Sequence, residues 1–126
     1  MTDLRMSLNG FKTRNSLLFV FSPSDRHHVY RIQKELFADS DVILREQGLI
    51  IAEIFEQGNS HIGNMELGQD SCDYLRRLFN VNLGDFKVLL LSKEQQIKLM
   101  ADSFVSEREL LMRLECPADR LEAAVD

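Results

Sequence analysis

Three short apolar runs constrain the fold of this 126-residue chain more than any other feature. They are rich in strand-forming residues, and they read SLLFVF at 16–21, GLIIAEIF at 48–55 and DFKVLLLS at 85–92. Runs of this length and composition are typical of strands that are buried on both faces of a sheet. The chain has the length of one domain, so we expect a single domain over 1–126, with its core at about 11–115 and a tail at 116–126.

The first strand is predicted to lead directly into a helix. Ser22 fits the N-cap position, Pro23 fits the first helical position, and Asp25 completes a capping-box pattern three residues after Ser22. The inward face of the helix is predicted from apolar residues at helical spacing, with one glutamine beside them: Val29, Ile32, Leu36 and Gln33. In this phase His27 points away from the core, and His28 lies on the flank of the helix.

The middle of the chain predicts a polar loop, a helix and a hairpin. The glycine-containing stretch 56–68 is interpreted as a loop, and 69–79 as a helix with Cys72 on its apolar face. A fourth strand is expected at 97–101. Only about four residues separate it from the third run, so the two strands must form an antiparallel hairpin.

Both ends of the chain carry helical patterns. Ser106 and Glu109 form a capping box for the last helix, and Val105 with Leu110 forms a hydrophobic staple across it. Apolar residues at helical spacing within 4–11 predict a short N-terminal helix.

The resulting element order, β-α-β-α-β-β-α after the N-terminal helix, is that of the thioredoxin-like fold. A right-handed crossover makes the first two strands parallel. The expected fold is therefore α/β, with a four-stranded mixed sheet in the order 2-1-3-4. The first and last helices should cover one face of this sheet, and the helix at 69–79 the other.

Two motifs resemble a widespread domain of unknown function. The first is RNSLLFVFSP at 14–23 followed by YRIQ at 30–33, and the second is LFNVNLGDFKVLLLSKEQQIKL at 78–99. The domain occurs in bacterial proteins and at the C-terminus of sushi-repeat and coiled-coil-domain extracellular matrix proteins. The resemblance covers roughly residues 11–113. It implies a thioredoxin-like fold, and it implies no particular activity because the family has none established.

Five positions of this chain match the family's motifs: Arg14, Gln33, Phe86, Lys93 and Lys98. Gln33 is interpreted as a hydrogen-bonded core residue, and the three basic residues as solvated charges that flank strands. Two departures from the family are visible. The predicted hairpin turn at 93–96 contains no glycine, so its geometry must differ. The sequence at 112–117 replaces the family's Pro-Met-Arg-Arg-like ending.

Dithiol redox chemistry is excluded by the residues present. Thioredoxin-like oxidoreductases carry reactive cysteines where the first strand meets the first helix, because the helix dipole and free amides there lower the pKa of a thiol. The corresponding stretch here, 22–28, contains no cysteine, and the chain contains no C-x-x-C. The partner feature, a cis-proline before the third strand, is also missing, because 81–85 contains no proline.

The stretch 22–28 predicts instead a weak site for an anion or carboxylate. Ligands of open α/β sheets tend to lie beyond the carboxyl ends of parallel strands, where helix N-termini point. The candidate ligand-binding residues are Ser22, Ser24, Arg26, His27 and His28. The histidines add positive charge below about pH 6.5, whereas Asp25 opposes binding because its carboxylate occupies the helix dipole. We expect this site to recognise a ligand without transforming it, and to strengthen as the pH falls.

No catalytic residue, metal site or cofactor is predicted. Ser24 and a neighbouring histidine could be drawn as a catalytic pair, but capping already explains the serine. His27 and His28 point about 100° apart on a helix, so they do not readily share a metal, and His61 lies in the predicted loop. Cys72 is interpreted as a buried structural thiol and Cys116 as an exposed one.

Charge and hydropathy restrict the partners. A net charge of −5 and a pI near 5.2 argue against a nucleic-acid surface, and the apolar runs are too short to cross a bilayer. Residues 1–16 lack the apolar region of a signal peptide, so the sequence as given predicts a cytoplasmic location, and export only if a leader was removed.

Three functional hypotheses stay open at this point. The first is a non-catalytic thioredoxin-like module that binds an unknown protein or a small anionic ligand. The alternative is a peroxide- or thiol-linked enzyme that uses Cys72 or Cys116 alone, for which an exposed thiol at a helix N-terminus would be required. The third is an interaction domain whose edge strands pair with a partner.

Overall fold

The computed structural model describes residues 16–38, 41–46, 48–92 and 96–115. In chain order the elements are β1 (Ser16–Ser24), α1 (His28–Ala38), α2 (Asp41–Glu46), β2 (Leu49–Gln57), β3 (Ser60–Ile62), β4 (Met65–Leu67), α3 (Gln69–Phe79), β5 (Lys87–Leu91), β6 (Ile97–Ala101) and α4 (Glu107–Glu115). The α/β class is therefore confirmed. The predicted N-terminal helix and the tail lie outside the described residues.

The strands form one six-stranded mixed sheet in the order β4-β3-β2-β1-β5-β6. β1 pairs parallel with β2 and antiparallel with β5, and the remaining pairs are antiparallel. The prediction of a four-stranded sheet in the order 2-1-3-4 is wrong, because two further strands extend the sheet at one edge. The four predicted strands occupy adjacent positions as β2-β1-β5-β6.

The two additional strands come from the stretch 56–68, which was interpreted as a loop. Ser60–Ile62 and Met65–Leu67 pair antiparallel around a two-residue connection, Gly63-Asn64. Gly63 has a φ of 56°, the left-handed conformation that glycine adopts without strain in tight hairpins. Strands of three residues leave too short an alternation to be distinguished from a polar loop by sequence.

Both faces of the sheet are buried under helices. From Leu17 to Phe21, alternate side chains of β1 enter two apolar layers, and each of them is at most 1% exposed. Cys72 and Leu75 of α3 belong to one layer, whereas α1 and α4 contribute to the other. The predicted distribution of the helices between the two faces is thus confirmed.

The start of α1 differs from the prediction. β1 continues beyond Phe21 because Ser22 and Ser24 still pair with β2, and the helix begins only at His28. Ser22 is buried in the strand, and its hydroxyl donates to the carbonyl oxygen of Ser24 at 2.8 Å. The capping box over 22–25 is therefore wrong, since the ladder to β2 takes these residues into the sheet.

The inward face of α1 is rotated by one residue from the predicted one. Tyr30, Gln33 and Phe37 are buried, whereas Ile32 and Leu36 are 40% and 37% exposed. The reason is that the polar atoms of Tyr30 and Gln33 have hydrogen-bond partners inside the protein, so burying them costs little. Apolar periodicity alone could not reveal these partners.

Gln33 joins α1 to the start of α4 through two hydrogen bonds. Its Nε2 donates to the carbonyl oxygen of Val105 at 2.8 Å, and its Oε1 accepts from the amide of Val105 at 2.7 Å. Next to this pair, Ser106 Oγ accepts from the amide of Glu109 at 3.2 Å, and Val105 and Leu110 share one apolar layer. The serine cap of α4 and the interpretation of Gln33 as a hydrogen-bonded core residue are confirmed.

Replacing Gln33 by alanine should lower the free energy of unfolding by about 2–4 kcal/mol, because it leaves two buried backbone groups without partners. Chemical denaturation measures this change. Glu35→Ala, at an exposed position of the same helix, is the matched control and should change stability by less than about 0.5 kcal/mol. Equal stability of the two variants would contradict a stabilising role for the two hydrogen bonds between Gln33 and Val105.

Candidate functional site

A buried carboxylate marks the candidate functional site. Glu53 lies in β2, and only 5% of the residue is exposed. Its Oε2 accepts hydrogen bonds from the hydroxyl of Tyr30 at 2.9 Å and from Nζ of Lys34 at 3.2 Å, and its Oε1 lies 2.9 Å from Nε2 of His61. A buried carboxylate is tolerated only with such partners, so these four residues form one unit, the Glu53 cluster.

Three elements bring the residues of the cluster together: the helix α1 and the paired strands β2 and β3. Tyr30 and Lys34 lie one turn apart on α1, at the i, i+4 spacing that places two side chains on one face. His61 stands opposite Glu53 in the antiparallel β2–β3 pair, so both side chains project from the same face of the sheet. Sequence reasoning placed His61 in a loop, and it lies instead in β3.

Both ring nitrogens of His61 face acceptors. Nδ1 lies 3.0 Å from the carbonyl oxygen of Gly63, and Nε2 lies 2.9 Å from the Glu53 carboxylate. A neutral imidazole has only one N–H to donate. Which of the two contacts His61 donates to therefore depends on its tautomer.

The hydroxyl of Tyr30 is held as a donor. Burial raises the pKa of Tyr30 well above its ordinary value, and the negative charge of Glu53, the hydrogen bond to Glu53 and the charge of Asp25 raise it further. All of these effects favour the neutral phenol. Tyr30 is therefore a structural donor to Glu53 and not a phenolate nucleophile.

The cluster borders an open groove of about 1140 Å³, which we call the Glu53 groove. It lies where the end of α1 and α2 meet β2, β3 and the turn between β3 and β4. Its lining combines charged and apolar side chains, among them Lys34, Phe37, Arg45, Ile51, His61 and Met65. Concave sites of this kind, mostly apolar with a few placed polar groups, are the usual place for small ligands.

The residues predicted to bind an anion lie elsewhere: Ser22 and Ser24 belong to the end of β1, Arg26 and His27 follow it, and His28 begins α1. The hydroxyl of Ser22 is turned inward, and Ser24 Oγ accepts from the amide of Arg26 at 3.2 Å. The rings of His27 and His28 stack at 4.8 Å, and Nδ1 of His27 is buried without a hydrogen-bond partner among the described residues. His27 was predicted to face away from the core, but it is partly buried because its ring also stacks on Phe86, at 6.0 Å.

The structure also shows the burial of three further residues that the sequence analysis singled out. Cys72 is 3% exposed in the layer under α3, as expected for a structural thiol. Phe86 is buried, and Lys98 is partly buried in β6. Arg14, Lys93 and Cys116 lie outside the described residues.

Two kinds of feature are absent from the part of the chain that the structure describes. Within it, no group of three or more His, Cys, Asp or Glu side chains is arranged to hold a metal ion. None of its helices is long and apolar enough to cross a membrane.

The Glu53 cluster was missed at the level of sequence. The one available signal was a lone glutamate inside the apolar run GLIIAEIF, because a charged residue in a buried strand requires partners. Identifying Tyr30, Lys34 and His61 as those partners required the pairing of β2 with β3 and the rotation of α1. Both the strand pairing and the helix rotation are properties of the tertiary structure.

The fold and the site thus define an α/β domain with a buried carboxylate at the side of an open groove. Residues 7–114 match the family model described as Domain of unknown function (DUF4174). This chain belongs to that family, which confirms the resemblance seen in its motifs.

One curated relative is the Sushi repeat-containing protein SRPX2 of Xenopus laevis. The chain is 25% identical to it over 89 residues, which cover 68% of this chain and 19% of that protein. The match therefore spans about a fifth of the relative's length.

The Tyr30–Glu53 contact predicts a specific response to alkaline pH. Because the pKa of Tyr30 is raised in the folded state, its contribution to stability is complete below about pH 10 and is lost as the pH rises further. The free energy of unfolding of the wild-type protein should therefore fall more steeply above pH 10 than that of Tyr30→Phe. Urea titrations at several pH values measure both slopes, and parallel curves would contradict the raised pKa.

Proposed function

We propose that this protein is a non-catalytic binding module with a thioredoxin-like core, and that it binds a small ligand in the Glu53 groove. The observation that carries the proposal is the groove itself, with a buried carboxylate that three side chains hold in place. Groups fixed by packing and hydrogen bonds lose little freedom on binding, which favours recognition.

The arrangement of the central elements supports the thioredoxin-like core. β1 and β2 are parallel and joined through α1, β5 and β6 form an antiparallel hairpin, and α4 follows that hairpin. The helices α1 and α4 contribute to one apolar layer, and α3 contributes to the other. The β3–β4 hairpin is an addition to this core, and it supplies one side of the groove.

The environment of the thiol supports a non-catalytic role. A reactive cysteine must be partly exposed so that its thiolate can reach a substrate. Cys72, the one cysteine in the described ranges, is 3% exposed among apolar side chains. This burial argues against the single-cysteine enzyme in the form that uses Cys72.

The stretch 22–28 is a second candidate site, for a weakly bound anion. Arg26 and His28 are exposed just before and at the start of α1, where free amides and the helix dipole favour negative charge. The engaged hydroxyls of Ser22 and Ser24 leave the basic side chains and the backbone as the groups for such an anion.

The absence of dithiol chemistry is tested by insulin reduction. The wild-type protein and a Cys72→Ser/Cys116→Ser double variant should give the same background rate in the presence of dithiothreitol, because no C-x-x-C exists to cycle. A rate for the wild type that exceeds that of the double variant would refute the non-catalytic assignment.

Binding in the groove is tested with neutral probes. Indole and benzyl alcohol at millimolar concentration should shift the amide NMR signals of groove residues, because the lining offers apolar surface whatever the charge of the ligand. Ala38→Trp, which fills the end of the groove, should abolish these shifts, whereas Glu35→Trp outside the groove should preserve them.

Two results distinguish the candidate sites in the same NMR experiment. Shifts that are insensitive to Ala38→Trp, or that spread over the whole surface, would contradict the groove as the binding site. Inorganic phosphate serves as the probe for 22–28, where shifts larger at pH 6 than at pH 8 are expected, and equal shifts would leave that stretch as a simple turn.

A further inference from the structure

We propose that His61 is a pH-sensitive switch, which holds the turn of the β3–β4 hairpin against the sheet more firmly when its ring is protonated. The switch acts on the hairpin side of the Glu53 groove, whichever ligand the groove binds. Three observations support it: the two acceptors that face the ring, their position on either side of the junction between hairpin and sheet, and the access of the ring to water.

Two oxygen acceptors face the imidazole ring of His61 from different elements. The Glu53 carboxylate of β2 lies 2.9 Å from Nε2, and the carbonyl oxygen of Gly63, in the turn after β3, lies 3.0 Å from Nδ1. A neutral imidazole carries one N–H, so in either tautomer the other nitrogen directs a lone pair at one of these oxygens. The protonated ring donates to both. Protonation therefore replaces a repulsive contact by a charge-assisted hydrogen bond.

The two contacts span the junction between the hairpin and the rest of the sheet. β3 and β4 have three residues each, and β4 lies at the edge, paired with β3. The amide of Gly63 donates to the carbonyl oxygen of Ile51 in β2 at 3.0 Å. A ring that donates to both Glu53 and Gly63 connects the turn to β2 beside this backbone hydrogen bond. Because hairpins of short strands are marginally stable, one further hydrogen bond changes how often the turn opens.

The other anchors of β3 contain no group that titrates near neutral pH. Ile62 is fully buried in the apolar layer under α3, on the opposite face of the sheet. At the start of β3, Ser60 Oγ accepts from the amide of Phe55 at 2.8 Å. These contacts are the same at pH 5.5 and pH 8, so β3 stays in place. The effect of pH is therefore expected at the turn and not over the whole domain.

The charged groups around the ring come from four elements. Glu53 of β2 contacts His61 directly, and Glu66 of β4 stands opposite it with an exposed side chain. Lys34 of α1 donates to the other oxygen of Glu53, and Arg45 of α2 lines the same groove. The two carboxylates attract the charge that protonation adds, and the two cations repel it. Of these four groups Glu53 makes the direct contact with the ring, so its attraction dominates.

Water reaches the ring without any opening of the hairpin. The side chain of His61 is 36% exposed, so it exchanges protons with the solvent in the folded state. Histidine is the side chain whose charge ordinarily changes between pH 5 and pH 8. The turn is therefore held firmly near pH 5.5 and loosens toward pH 8. Because His61, Gly63, Asn64 and Met65 line the groove, this loosening acts on one of its sides.

Amide hydrogen exchange of Gly63 measures the switch. Its protection factor, the intrinsic exchange rate divided by the observed rate at the same pH, should be about three- to tenfold larger at pH 5.5 than at pH 8, the range of a partly exposed charge-assisted contact. The amide of Val81, which donates to the carbonyl oxygen of Arg76 at the end of α3, is the internal reference. Its protection should be the same at both pH values.

Two histidine variants assign the pH dependence to one ring. His61→Gln keeps a hydrogen-bonding side chain that does not titrate, so the protection of Gly63 should become equal at the two pH values. His28→Gln, at an exposed position at the start of α1, is the matched control and should keep the wild-type difference. NMR of the imidazole N–H protons in the wild type keeps the test valid if His61→Gln does not fold. At pH 5.5 both ring N–H protons of His61 should exchange with water more slowly than those of His28.

Each other outcome overturns the switch. Equal protection of Gly63 at pH 5.5 and pH 8 in the wild type does so, as does a difference that persists in His61→Gln. A difference that Val81 shows to the same extent reports a change in global stability and is equally fatal. So are ring N–H protons of His61 that exchange as fast as those of His28. None of these results bears on ligand binding in the groove, which the indole titration tests separately.

Discussion

The fold depends on β1, a central strand that is buried on both faces. Because the side chains of a strand alternate between faces, the run from Leu17 to Phe21 can be removed from water only if helices cover both sides of the sheet. The parallel pairing with β2 requires a crossover, which α1 provides, and the antiparallel pairing with β5 completes the interior. Burial of this one strand therefore determines the layer structure of the domain.

A second constraint is the carboxylate of Glu53 inside one of these layers. Removing a charge from water is costly, and the cost is offset here by donors from α1 and β3. The same contacts determine the rotation of α1 and attach the β3–β4 hairpin to the body of the sheet. The groove lies between these elements, and Lys34, Glu53 and His61 all line it. A hairpin of three-residue strands gains much of its order from such contacts, because short isolated hairpins are marginally stable.

The carboxyl end of β1 and the amino-terminal half of β2 lie beside different kinds of surface. Basic side chains and stacked histidine rings lie between the carboxyl end of β1 and the start of α1, but the hydroxyls of the β1 residues Ser22 and Ser24 are engaged in local hydrogen bonds. The groove lies instead beside the amino-terminal half of β2, from Gly48 to Glu53, where the added hairpin extends the sheet. The rule that ligands bind beyond the carboxyl ends of strands follows from where helix N-termini point in an open sheet. It does not anticipate a groove that is bordered by an additional hairpin at the sheet edge.

The sequence by itself determined the strands with strong apolar patterns, the buried face of α3 and the serine cap of α4, because each depends on residues that are close in the chain. It also determined the absence of a C-x-x-C, which is a matter of composition. Only the tertiary structure decided where β1 ends, which face of α1 is buried and that 60–67 forms a hairpin. Each of these depends on a partner distant in sequence: β2 for Ser24, Val105 for Gln33, and Glu53 for Tyr30 and His61. A polar side chain is buried when the fold supplies its hydrogen-bond partner, and local sequence cannot show whether that partner exists.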